Sequence, residues 1–108
     1  MVINCQGQPK VRPGSFILAC ADGNDYLSGL AWTSWAPGLA SATGVQVEND
    51  CVPYCAAGHF HRYPVDVIFW GSAAAGPGSQ RYTEVTLLYP GARPGHHGPA
   101  TFTMRLAS

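Results

Sequence analysis

"YPVDVIFW", residues 63–70, decides how this chain is read. Val65, Val67 and Phe69 alternate with Asp66, Ile68 and Trp70, the period-two pattern of a β-strand. Downstream, "GSAAAGPGSQ" is a flexible connection, and "RYTEVTLLY" (81–89) sets Thr83, Val85, Leu87 and Tyr89 on one face. "PGARPGHHGP" reads as a loop. "ATFTMRL" then alternates Phe102, Met104 and Leu106 with Thr101, Thr103 and Arg105. Upstream, "ATGVQVEN" (42–49) alternates Val45 and Val47 against Gln46 and Glu48, and pairs as a hairpin with "LSGLAWTSW" (27–35), where Leu30 and Trp32 share a face. Trp32 and Trp35 differ by three positions, so a regular strand sends them to opposite faces. "SFILAC" (15–20) is a strand closed by the turn "ADGND", and "QGQPKVRPG" (6–14) is extended and irregular, because Pro9 and Pro13 lack ladder donors. The one helical stripe is a single turn near 24–30, where Leu27, Leu30 and Ala31 share a face.

Six or seven short strands between turn signals predict an all-β fold, a small antiparallel β-sandwich stabilised by disulfides. A Trp in the third strand and a Cys before it match immunoglobulin-like packing, but no late-strand Cys follows, so that likeness is architectural. Residues 1–14 are expected as an irregular N-terminal arm and 15–108 as a single sandwich domain. The expected core is Phe16, Leu18, Trp32, Val65, Val67, Phe69, Val85, Leu87, Phe102 and Met104.

At 108 residues there is room for one core. Charged residues are 11% of the chain and balance to zero, which offers no general attraction for nucleic acid or anionic lipid. No apolar run nears the roughly 20 residues needed to cross a bilayer, so membrane insertion is not expected. Four cysteines in a short Gly- and Pro-rich chain point to an oxidising compartment. "MVINC" has neither a basic nor an apolar signal region, so export implies a signal peptide already removed, and Asn4 before Cys5 argues against a lipobox.

"NDCVPYCAAGHFHRYPV" (49–65) admits two readings. Cys51, Cys55, His59 and His61 supply two thiolates and two imidazoles, a set zinc can take. The spacing is short for a structural zinc site, and exported thiols oxidise, so disulfides are expected instead: Cys51–Cys55 across the "VPY" turn and Cys5–Cys20 tying the arm to the first strand. A Cys20–Cys51 or Cys20–Cys55 link is the rival pairing. Cys55 with His59 as nucleophile and base needs a free thiolate that the second cysteine removes. Asp22, Asn24 and Asp25 are oxygen ligands of the kind calcium takes, but they lack the rest of an EF-hand loop and read as a turn. His96–His97 sit in a Gly/Pro loop, and read as solvated loop residues.

"RPGSFILACADGNDYLSGLAWTSW", followed by "ATG", "NDCVPYCAAGHF" and "YPV", resembles a group of uncharacterised secreted proteins from actinobacteria. The shared pattern is "CADGN", a spaced tryptophan pair, then N-x-C-x-P-x-C-A-x-G, and it covers roughly residues 5–70. The resemblance implies export and disulfides and carries no active site. The expected role is a secreted, non-catalytic binding or structural module with no cofactor, whose partner is a glycan, a cell-envelope component or a protein. Its binding surface is expected around Tyr54, His59, Phe60, His61 and Tyr63, on a loop tied down at its start. The alternatives are an extracellular metal-binding protein using His59 and His61, helped by His96 and His97, and a small secreted hydrolase using Asp22 and Asp25 or the His59/His61 pair.

Overall fold

The alternating segments pair in sequence to build one large antiparallel sheet. The computed structural model describes residues 1–91 and 101–106. Its strands are β1 (Val2–Ile3), β2 (Pro9–Lys10), β3 (Phe16–Ile17), β4 (Asp25–Ala36), β5 (Leu39–Asn49), β6 (Phe60–Trp70), β7 (Ala73–Ala74), β8 (Gln80–Arg81), β9 (Glu84–Leu88) and β10 (Thr101–Arg105). Six of them form a sheet in the order β10-β9-β6-β5-β4-β3, while β1-β2 and β7-β8 are separate two-stranded ribbons. The fold is all-β, antiparallel and disulfide-stabilised, as expected. Instead of a turn near 24–30, β4 begins at Asp25, and a single 3-10 turn at Cys55–Ala57 is the helical element among the described residues.

One face of the sheet is covered. Ala40 and Ala42 of β5, Val65, Val67 and Phe69 of β6, and Val85 and Leu87 of β9 are buried there with Leu27, Phe16, Leu18, Tyr82 and Leu106. Val2 of the N-terminal arm is fully buried in the same cluster, so the arm contributes to the core as well as leading into it. Of the expected core, Trp32 and Met104 are half-buried against the cluster. Phe102 departs from expectation: it lies on the outermost strand opposite Leu87 and stays 47% exposed, because an edge strand has only one neighbour to shield it.

The two tryptophans correct a second expectation. Pairing between β4 and β5 slips between Ser28 and Ala31 and again between Trp32 and Ser34, one extra β4 residue each time. Gly29, at φ +60°, supplies the left-handed backbone that such a bulge favours. The second bulge returns Trp35 to the face of Trp32, and the rings meet edge to face at 4.8 Å. Strict alternation does not hold across a bulge.

Register also settles the faces of β5. Ala40 pairs with Phe69, Ala42 with Val67, Gln46 with Tyr63 and Glu48 with His61. Gln46 and Glu48 therefore share the covered face, while Val45 and Val47 lie on the open one, where Val47 is nevertheless buried between its neighbours Tyr26 and Arg62.

Candidate binding site at the disulfide-pinned loop

The loop from β5 into β6 follows from where its polar side chains find partners. Both disulfides are Cys5–Cys20 and Cys51–Cys55, no cysteine is free, and the cross-sheet pairing does not form. With their sulfurs joined, Cys51 and Cys55 provide neither thiolate ligands for zinc nor a nucleophile for His59. Among the described residues no group of three or more His, Cys, Asp or Glu is placed to hold a metal ion. His96 and His97 lie outside the described residues.

Asn49 and Asp50 organise the loop backbone. The buried Asn49 amide donates to the carbonyl of Cys55 at 2.8 Å and to Asn24 Oδ1 at 3.0 Å, and its own oxygen accepts from Cys51 N at 2.9 Å. This satisfies a polar side chain that burial otherwise penalises. Asp50 Oδ1 accepts from the amides of Val52 and His59, and Asp50 N donates to the His59 carbonyl. Asp50 Oδ2 stands 2.9 Å from His61 Nε2, and because a carboxylate only accepts, that nitrogen carries the proton. The His61 bond, followed by the His59 and Val52 amides, holds the Asp50 carboxyl down to about 2. At Gly58 a Cβ would meet the Asn49 side chain and stand 2.8 Å from Cys51 N, so the loop closes only over glycine.

Against this pinned backbone the apolar side chains point outward. Val52 is 65% exposed, Tyr54 63% and Phe60 51%. Phe60 lies beside Tyr26 on the open face, ring centroids 6.4 Å apart. His59 is exposed. His61 and Tyr63 leave β6 on the covered side, their rings 6.4 Å apart. The five residues singled out in the sequence thus gather at one end of the molecule, but Phe60 and the His61–Tyr63 pair face opposite ways.

The covered side of that end holds a polar row that the sequence reading missed. Asp25, Glu48 and His61 are consecutive cross-strand partners. Gln46 donates to Asp25 Oδ1 at 2.9 Å and accepts from the Tyr89 hydroxyl. Burial pushes the Asp25 carboxyl up. Burial first, then the Asp25 charge, pushes up Glu48, against the pull of His61. Burial likewise raises Tyr63 and Tyr89, with neighbouring carboxylates adding to it. The missed signal was parity: even positions of β5 match odd positions of β6, which ties Gln46 and Glu48 to the face of Val65 and Phe69.

The calcium triplet separates into three partnerships. Asp22 Oδ1 caps Asn24 N at 3.1 Å, Asn24 Oδ1 accepts from Asn49, and Asp25 bonds Gln46. The turn reading accounts for the first, while the other two tie Asn24 and the first residue of β4, Asp25, to β5.

No protein-family model, curated protein or solved structure matches the chain. Two disulfides indicate an oxidising, non-cytoplasmic setting, and among the described residues no helix is long and apolar enough to cross a membrane.

Proposed function

We propose that this protein is a secreted, non-catalytic binding module whose recognition element is the loop from Cys51 into the start of β6. One observation carries the reading: a backbone fixed by a disulfide and by the Asn49 and Asp50 side chains displays Val52, Tyr54 and Phe60 to solvent. Apolar side chains on an ordered backbone meet a partner with little entropy lost on association, and aromatic groups dominate binding energy in such patches. His59 and the His61–Asp50 pair add polar contacts at the rim. The partner class is a cell-envelope glycan or protein, and export belongs to the same proposal, as does kinship with the secreted actinobacterial group.

The test is a screen against envelope polysaccharide and protein fractions, followed by Tyr54→Ala and Phe60→Ala. Retention on the captured fraction should fall at least tenfold for the double variant with melting unchanged, since two anchor residues at about 1.4 kcal/mol or more each suffice. Lost stability with unchanged retention would make the loop a structural lid.

A second reading, a small secreted hydrolase, draws on Asp25 and Glu48, which oppose each other across β4 and β5 with both carboxyls raised. Polysaccharide or peptide turnover abolished by Glu48→Gln would favour it.

A further inference from the structure

We infer that a second site, at the opposite end of the sheet, binds an acidic sugar unit through Arg81. The turn between β4 and β5, the β7-β8 ribbon and Tyr82 enclose a cleft of about 260 Å³. Its walls include Trp35, Pro37, Ser72, Gln80, Arg81 and Tyr82. Trp35 and Tyr82 meet edge to face at 5.2 Å, and the Tyr82 hydroxyl bonds the Ala36 carbonyl, which fixes the aromatic wall to the turn beside it. Arg81 is held at the rim by the pairing of β8 with β7, where it stands opposite Ala73.

Three features of the lining select the ligand. No acidic side chain lines the cleft, and the guanidinium of Arg81 is in no ion pair among the described residues. An uncompensated guanidinium favours a carboxylate, which it grips in a planar two-point contact. Tyr82 is buried behind the wall, so the half-buried Trp35 ring supplies the apolar surface for the C–H groups of a sugar ring, and the Ser72 hydroxyl and Gln80 amide match ring hydroxyls. A cleft this size holds a single ring unit. A hexuronate meets all three conditions at once. A neutral hexose lacks the carboxylate, a small carboxylate lacks the ring, and inorganic phosphate lacks both the ring and the planar fork.

Titrations of the whole protein with D-glucuronate, D-glucose, acetate and inorganic phosphate, followed by two-dimensional NMR of backbone amides and tryptophan indoles, test the assignment. Glucuronate should shift the Trp35 indole and the amides of residues 80–82, and bind at least about tenfold more tightly than glucose or acetate, an increment of about 1.4 kcal/mol or more. Arg81→Gln should abolish that preference with unchanged melting, and Arg81→Lys, which keeps the charge without the fork, should retain only part of it. The inference is overturned if glucuronate leaves these signals unmoved, if glucose, acetate or phosphate binds as well, or if folded Arg81→Gln binds glucuronate as the wild type does.

Discussion

The two ends of the covered sheet face are built from the same strands and opposite materials. At one end Phe69 is fully buried, and its ring centroid lies 5.4 Å from Phe16, 5.2 Å from Trp32 and 6.0 Å from Tyr82, with Trp35 completing the group. At the other end the same face carries Asp25, Gln46, Glu48, His61 and Tyr89, of which Gln46 donates to Asp25 and accepts from Tyr89, while Glu48 lies between Asp25 and His61 as their cross-strand partner. The aromatic end draws its stability from excluded water and ring packing. The polar end is tolerable only because each buried donor and acceptor finds a partner, and none is left unpaired among the described residues. Stability is therefore concentrated at one end, while the polar end holds charge under tension.

The largest effect that tests this contrast is Phe69→Ala. Removing the ring at the centre of the aromatic group is expected to cost about 3–5 kcal/mol, read from the midpoint of denaturant unfolding. A loss below about 1 kcal/mol would mean that the polar end carries the fold.

The disulfides come next. Replacing Cys5 and Cys20 by serine opens a 15-residue separation and should cost about 3 kcal/mol, whereas the four-residue separation of Cys51–Cys55 should cost about 2 kcal/mol. Calorimetry of the two double variants checks the order. Equal melting would remove the distinction between a bridge that ties the arm to the sheet and one that shapes a loop.

At the loop itself, Gly58→Ala places a methyl group against the Asn49 side chain and Cys51 N. An overpacked, hydrogen-bonded site of this kind should lose about 1–3 kcal/mol, with amide protection falling first over residues 50–59.

The smallest effect has the opposite sign. Glu48 faces Asp25 directly across two strands, and both carboxyls are raised. A raised carboxyl binds its proton more tightly in the folded state, so stability is fully present below the unfolded value near 4 and is lost as pH rises through the folded one. Glu48→Gln should thus stabilise the protein at pH 7 by about 0.5 kcal/mol, because opposed like charges cost a few tenths to 1 kcal/mol, and the gain should vanish toward pH 4. Asp50 titrates the other way. Its carboxyl is held down to about 2, so its support of the loop is present above about 4 and lost as pH falls toward 2. NMR of His61 and the loop amides during an acid titration should separate the two responses; a single common transition would contradict them.

Much of the fold was legible because alternation is a local signal. "YPVDVIFW" and "EVTLL" name their buried residues through period two, and Val65, Val67, Phe69, Val85 and Leu87 are buried accordingly. The disulfides were legible because short loops favour local partners. The candidate loop was found from composition, an aromatic and histidine cluster beside paired cysteines, though not which side each residue faces. The polar row and the cleft were not visible, since each joins residues from strands far apart in sequence.

The sequence by itself determined that the chain is all-β and where most strands run, and it favoured cysteine partners close in the chain over the rival Cys20–Cys51 or Cys20–Cys55 link, because these depend on contacts between near neighbours. Only the tertiary structure decided that Trp32 and Trp35 share a face, that Gln46 and Glu48 turn toward the core side, and that Phe102 stays exposed. Each of those outcomes rests on register: a one-residue bulge or a place at the sheet edge changes which side of a strand is covered, and no local pattern encodes the neighbour across the sheet.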